Sequence, residues 1–266
     1  MDLRCPYIEM NENLSTKAKI TWCPGCPNNQ ILVAFRQAVS ELAAENKIKT
    51  ENIVAAAGIG CHGKIAEYLN MNTYTSLHGR AIASATGIKI ANPNLTVVSF
   101  VGDGDAYAEG LEHLIHAARR NSDIKVFVHD NQMFALTTGQ TTPTSPKGTK
   151  GKSTPSGSVE EPFEPLGLML AAGASFVART FAAEIQKTKE IIKAAMLHKG
   201  FAFVGIIQPC ITFLDTRDYF KERVVWPEGE PAKTIEEAMR KIKVAAEKVP
   251  CGIFYKVSRP TFEEKI

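Results

Sequence analysis

The chain has 266 residues, of which 44% are hydrophobic and 22% charged, with a formal net charge of +3. That is the make-up of an ordinary globular protein long enough for one large α/β domain with a buried sheet. Lys and Arg are spread along the chain, so no nucleic-acid partner is inferred, and no run reaches the roughly 18 apolar residues a membrane-spanning helix needs.

The N-terminus, Met1-Asp-Leu-Arg-Cys-Pro6, lacks an apolar signal core, and a cytoplasmic location is the default expectation. Residues 1–22 read as an irregular arm leading to Cys23-Pro-Gly-Cys26. Asn28 is placed to cap a helix running to about Asn46, with Ile31, Leu32, Phe35, Val39 and Leu42 on one stripe. Ile53–Gly58 is a short buried strand opening into the glycine-rich turn Ile59-Gly60-Cys61-His62-Gly63. Thr75-Ser-Leu-His78-Gly79-Arg80 precedes a helix of small residues from Ala81 to about Ala91, punctuated by Pro93. Leu95–Val101 is a β-branched apolar run, read as a buried parallel strand, and ends at Gly102-Asp-Gly-Asp105. A helix from about Asp105 to Arg120 follows, then a second apolar strand, Ile124–Asp130, ending at Asn131.

Residues 137–161 are rich in Thr, Ser, Gly, Pro and Lys and lack an apolar period. Such a length inside a compact domain argues for a functional or mobile loop, a substrate lid or only a solvated connection. Helices are predicted near Pro165–Ala172 and Ala183–His198 with a strand at Ser175–Ala178 between them. The strand Phe201–Ile207 runs into Gln208-Pro209-Cys210. Beyond it, 221–233 reads as irregular, Thr234–Lys248 as a surface helix and Gly252–Val257 as a short strand or a tail for contacts between subunits. Alternating strands and helices predict a doubly wound, mostly parallel sheet, in which ligands bind at the carboxyl ends of the strands. The loops 58–62, 102–105, 130–131 and 208–210 all follow a strand, so they are expected to gather along one edge.

Asp103 and Asn131 at two strand tips suit a small divalent cation such as Mg²⁺, which takes hard oxygen ligands and shares them with phosphates; the Met133 carbonyl can add a third oxygen. The plainer reading is an Asp cap and an Asn in a turn. Six cysteines in a chain of this kind are no disulfide framework. Cys23 and Cys26, with Cys61 and Cys210 each at a strand end on one predicted edge, make four thiolates that suit tetrahedral zinc or an iron–sulfur cluster, and spacing leaves the two open beside unrelated core cysteines. His78-Gly79-Arg80 stands before a helix, where free N–H groups and a cation suit phosphate, or else is a satisfied turn. His62 adjoins Cys61 and can face either ligand. His113 and His116 share a helix face and read as packing or surface residues.

Taken together, Trp22-Cys-Pro-Gly-Cys26, Gly58-Ile-Gly-Cys61, Leu77-His-Gly-Arg-Ala-Ile82 with Ala85-Thr-Gly-Ile-Lys89, Gly102-Asp-Gly-Asp105 and Asp130-Asn131 through Thr137–Pro143 resemble the β subunits of 2-oxoacid:ferredoxin oxidoreductases, over about residues 20 to 215. Gly102–Asp105 with Asn131 looks like the diphosphate-binding motif of thiamine diphosphate enzymes. The resemblance, not the spacing, selects iron–sulfur over zinc. It implies an N-terminal arm (1–22), a thiamine diphosphate and iron–sulfur binding domain (23–215) and a C-terminal extension in contact with other subunits (216–266). It implies that Cys23, Cys26, Cys61 and Cys210 hold a 4Fe-4S cluster and that Asp103, Asn131 and the Met133 carbonyl hold Mg²⁺. Ile59, Gly60, Cys61 and His62, His78, Gly79, Arg80 and Ala81, Gly104 and Asp105, and Ala135 and Leu136 would line thiamine diphosphate.

The implied reaction is oxidative decarboxylation of a 2-oxoacid with coenzyme A, giving acyl-CoA, CO₂ and reduced ferredoxin. No second thiamine-type domain fits this length, so by resemblance the activating Glu comes from a partner α subunit; γ and ferredoxin-like δ subunits, or fused equivalents, complete the assembly. Pro27, and a Thr in Thr137-Thr138-Gly139-Gln140, stand where relatives often carry Gly. Rival readings are a non-oxidative thiamine decarboxylase subunit, which needs no four-cysteine set, and a zinc-binding structural protein.

Overall fold

The computed structural model describes residues 14–243 and 247–266. Cys5, most of the predicted arm and part of the predicted 234–248 helix lie outside the described residues. Helix α1 (Asn28–Ala44) precedes β1 (Ile53–Ala57), β2 (Asn72–Thr75), α2 (Ala81–Ala91), β3 (Thr96–Gly102), α3 (Leu111–Arg120) and β4 (Ile124–Asp130). A small hairpin, β5 (Met133–Phe134) with β6 (Gln140–Thr141), leads through a long irregular segment to α4 (Pro165–Ala171), β7 (Phe176–Phe181), α5 (Ile185–Met196) and β8 (Ala202–Ile207). The chain ends through α6 (Arg217–Arg223), β9 (Val224–Val225), α7 (Ile235–Ile242), β10 (Val249–Pro250) and β11 (Gly252–Lys256).

Seven strands form one sheet in the order β11-β7-β8-β4-β3-β1-β2. All neighbours are parallel except β11, which runs antiparallel to β7. Alternate side chains of each strand feed two cores. Ile53, Ala55, Val98, Phe100, Phe127, Val204 and Ile206 pack under α1 and α5; Ala56, Val97, Val101, Val126, Val128 and Phe203 pack under α2, α3, α4 and α7. Each sheet face is thus covered by helices, which is why the central strands read as continuous apolar runs. The chain passes from β1 outward to β2 and then returns across β1 to β3. That reversal opens the sheet at the carboxyl ends of β1 and β3, where ligands of such folds bind.

Three local expectations change, and one strand was not anticipated. The predicted helix from Asp105 begins instead as a π-helical turn, Gly104–Glu109, and becomes α-helical only at Leu111, after Gly110. Asn28 does not cap α1: Pro27 holds the cap position without a side-chain bond, and the Asn28 side chain is engaged elsewhere. The 221–233 stretch, read as irregular, instead completes α6 and carries β9. The exposed edge strand β2 carries no apolar face for a pattern to reveal.

Candidate functional site

The loops after β1, β2, β3 and β4 close around one pocket lined by Ile59, Gly60, Cys61, His62, His78, Gly102, Asp103, Gly104, Asp105, Asn131, Met133, Phe134, Ala135, Leu136 and Thr137. Most of the residues singled out in the sequence therefore meet. Gly79, Arg80 and Ala81 stand off this wall. The Gly79 N–H is taken by Asp105 at 2.7 Å, and Arg80 turns to Glu112 and His113, at 3.1 and 2.8 Å.

Asp105 is the hub. Its carboxylate, 2% exposed, lies 3.4 Å from His62 Nε2 and 3.1 Å from His78 Nδ1 and receives the backbone N–H of Gly79 and, at 3.4 Å, of Ile59. One acid thus fastens the 58–62 and 78–81 loops to the π-helical turn, a distortion that recurs at functional sites. The packing leaves no slack: a Cβ at Gly58 would fall 1.7 Å from Asp105 Oδ2, and one at Gly104 would fall 2.2 Å from the Phe134 ring. As a fastener, Asp105 carried no sequence signal beyond its place in the glycine motif.

Asp103, 1% exposed, accepts hydrogen bonds from Thr142 Oγ1 at 2.5 Å and Thr144 Oγ1 at 2.9 Å. Thr144 Oγ1 also reaches Asp130 Oδ1 at 2.8 Å. Burial pushes the Asp103 carboxyl up, and burial together with the Asp103 charge raises Asp130 to about 7. Two neighbouring acids withdrawn from water are the electrostatic environment a divalent cation relieves. Asn131 Oδ1 accepts the Met133 N–H at 2.9 Å. Gln132 between them is left-handed (φ 61°), a strained state for a side-chain-bearing residue, clamped by Ser145 Oγ on its carbonyl and by its own amide on the Thr144 carbonyl. The start of the 137–161 segment is thus part of the site. Its Thr142, Thr144 and Ser145 are buried, and the hydroxyl-rich composition was the only sequence signal for them.

A second pocket is lined by Thr21, Trp22, Cys23, Cys26, Asn28, Cys61, Lys64, Asn131, Ala135, Gln208, Cys210, Ile211, Thr212 and Phe213. All four singled-out cysteines face it, and it shares Cys61, Asn131 and Ala135 with the first. Trp22 Nε1 donates to the Cys61 carbonyl at 2.6 Å and ties the 23–26 loop to the 58–62 loop. Burial, then the charges of Cys23 and Cys210, pushes the Cys26 thiol up; burial and Cys26 push Cys61 to about 11. A redox-active dithiol is shifted the other way. Cys251, at β11, is buried away from this group and held at about 12 by burial.

The donor sets can be tested against the implied groups. Among the described residues no three His, Cys, Asp or Glu side chains converge on one point for a single ion. Cys23, Cys26, Cys61 and Cys210 line one pocket, and four thiolates suit a four-iron cluster, one to each iron, as they also suit one zinc ion. Mg²⁺ takes only one or two carboxylates and completes its shell with amide, carbonyl, water and phosphate oxygens, which suits Asp103 with Asn131. Both donor sets fit.

This fold and site define a thiamine-dependent enzyme domain: residues 58–206 match the family "Thiamine pyrophosphate enzyme, C-terminal TPP binding domain", and residues 210–266 match the family formed by the C-terminal part of the pyruvate ferredoxin oxidoreductase beta subunit. The chain is 41% identical over 262 residues to a 2-oxoacid:ferredoxin oxidoreductase subunit beta of Sulfolobus sp, covering 92% of this chain and 85% of that one. It is 46% identical over 191 residues to a 2-oxoglutarate synthase subunit KorB of Archaeoglobus fulgidus, covering 72% and 70% of the two chains. A solved 2-oxoglutarate:ferredoxin oxidoreductase from Magnetococcus marinus superposes with a TM-score of 0.91 at 37% identity, covering 96% of this chain and 87% of that one. The chain belongs to the 2-oxoacid:ferredoxin oxidoreductase β-subunit family. Among the described residues no helix is long and apolar enough to cross a membrane.

Proposed function

We propose that this β subunit holds Mg²⁺-thiamine diphosphate in the first pocket and a 4Fe-4S cluster in the second, and serves the coenzyme A-dependent oxidative decarboxylation of a 2-oxoacid to acyl-CoA and CO₂ with electrons passed to ferredoxin. The observation that carries the reading is the shared wall: Cys61, Asn131 and Ala135 border both pockets, so an oxygen-donor site and a sulfur-donor site are immediate neighbours. Bound there, thiamine diphosphate supplies an electron sink for loss of CO₂ and the cluster supplies a one-electron acceptor beside it.

The chain's own residues do the holding. Asp103, Asn131 and the Met133 carbonyl bind the cation, and the hydroxyls of Thr142 and Thr144 fix the Asp103 carboxylate in one orientation. Asp105 keeps the Ile59–His62 and His78–Ala81 loops in register with Gly104. Ile59 and Leu136, 37% and 48% exposed, make an apolar lip that a partner surface can seal against water. That partner is an α subunit supplying the pyrimidine-binding domain, with γ and ferredoxin-like δ subunits or fused equivalents beyond it.

The test is the complex purified anaerobically with its partners. It should be brown, contain iron and sulfide, and reduce a viologen dye with coenzyme A and at least one acid from a panel of pyruvate, branched-chain, aryl and 2-oxoglutarate substrates. Asp103→Ala should abolish thiamine retention with iron near normal. Zinc in place of iron and sulfide defeats the proposal; equal loss of iron and thiamine in the variant means that the domain has unfolded.

A further inference from the structure

The second pocket contains hydrogen-bond donors that the ligand set does not use. Gln208, 1% exposed, follows β8, and its side-chain Nε2 donates to Cys26 Sγ at 3.8 Å. The same nitrogen donates to the Pro209 carbonyl at 3.3 Å, and the Gln208 backbone N–H is anchored on the Asp130 carbonyl at 2.8 Å. Because a carbonyl accepts only from a donor, Pro209 fixes which face of the amide looks at the sulfur. Thr212, four residues further on and exposed, donates from Oγ1 to Cys23 Sγ at 3.3 Å.

We propose that Gln208 and Thr212 are tuning residues: their donors to the Cys26 and Cys23 sulfurs set the reduction potential of the cluster upward without ligating it. This rests on the reading that the four cysteines hold that cluster. When one electron enters, the cluster becomes more negative by one charge, which spreads onto the thiolate sulfurs. A fixed N–H or O–H dipole aimed at a sulfur stabilises the reduced form more than the oxidised one. Gln208 makes its contact out of water, where a dipole is weakly screened, and Thr212 makes its contact at the rim. Cys26 and Cys23 lie on the one loop that Trp22 ties to the Cys61 carbonyl, so the donors act on a sulfur pair whose position is otherwise fixed.

The experiment is a dithionite potentiometric titration of the cluster's electron paramagnetic resonance signal in the anaerobic complex, comparing wild type with Gln208→Leu, Thr212→Val and Thr212→Ser. Each lost donor should favour the oxidised form by about threefold to tenfold, tenfold being about 59 mV for a one-electron couple. Thr212→Ser keeps the hydroxyl and should restore the wild-type midpoint. Thr212 is exposed, so its variants remain informative even where Gln208→Leu fails to assemble. A normal complement of iron and sulfide with an unmoved or raised midpoint in Thr212→Val overturns the inference and leaves the cluster in place. Absence of iron and sulfide from the wild-type complex overturns the underlying reading instead.

Discussion

Strand β4 buries a charged side chain near each end, and the two ends are treated in opposite ways. At its amino end the Lys125 ammonium, 3% exposed, bonds Asp123 and the carbonyls of His198 and Gly200. Lys89 joins from α2, 2.7 Å from Asp123, with its remaining donors on the Pro93 and Leu95 carbonyls. Burial opposes the Asp123 carboxylate, yet Lys125 and Lys89 outweigh it and hold it at about 2. At its carboxyl end Asp130 faces Asp103, both are pushed up, and the neighbouring His62 Nε2, His129 Nε2 and Asp105 Oδ2 lack hydrogen-bond partners of good geometry. A set of buried charges that closes on itself builds a fold; one that stays open is complementary to something else.

The contrast is sharpest under isosteric replacement. Asp103→Asn should abolish cation and thiamine retention while leaving the apoprotein as stable as wild type or more so, because one of two repelling buried charges is gone; equilibrium dialysis and urea unfolding of the same preparation read both. A loss of several kcal/mol with retention intact would reverse the roles of the two ends. Next in size, Lys125→Met leaves Asp123 deprived of its nearest cation and should cost about 3–5 kcal/mol in urea unfolding, with thiamine affinity unchanged in whatever fraction folds.

A smaller effect is read by pH. Burial, then the Lys125 charge, holds His198 at about 4, while Ser175 Oγ sits 2.7 Å from its Nε2. In the unfolded chain an ordinary histidine takes its proton near pH 6.5, so the native state loses stability as pH falls from there toward about 4 and keeps its full contribution above. The depressed Asp123 extends the same acid loss from about 4 down to about 2. His198→Gln should flatten the stability profile between about pH 6.5 and 4 by roughly 2–3 kcal/mol, and an unaltered slope would place the acid sensitivity elsewhere. The smallest expected change is Thr144→Val, which removes the hydroxyl between Asp103 and Asp130: about 1 kcal/mol in stability and roughly tenfold in cation affinity. A cation affinity equal to wild type would demote Thr144 to packing.

What could be read ahead of the fold follows physical lines. The central strands declared themselves because burial on both faces demands apolar runs such as Ala202–Ile207. That Asp103 and Asn131 would line one pocket and the four cysteines another was legible because Asp103, Asn131, Cys61 and Cys210 all follow predicted strands. Residues 217–225 escaped, since two turns of helix and a two-residue strand have no period to detect. Asp105 as a fastener escaped too, because its partners at Ile59, His62, His78 and Gly79 come from loops 26 or more residues away in the chain.

By itself, then, the amino-acid order determined the alternation of strands and helices, the doubly wound architecture and the chemistry of the donors, because these depend on local periodicity and on residue type. Tertiary structure alone decided that the oxygen-donor and sulfur-donor pockets share a wall, that Arg80 turns away toward α3, and that hydroxyls of the 142–145 segment orient Asp103. Each of these is a contact between segments remote in sequence, set by how the crossovers of the sheet bring strand ends together. No local pattern carries that information.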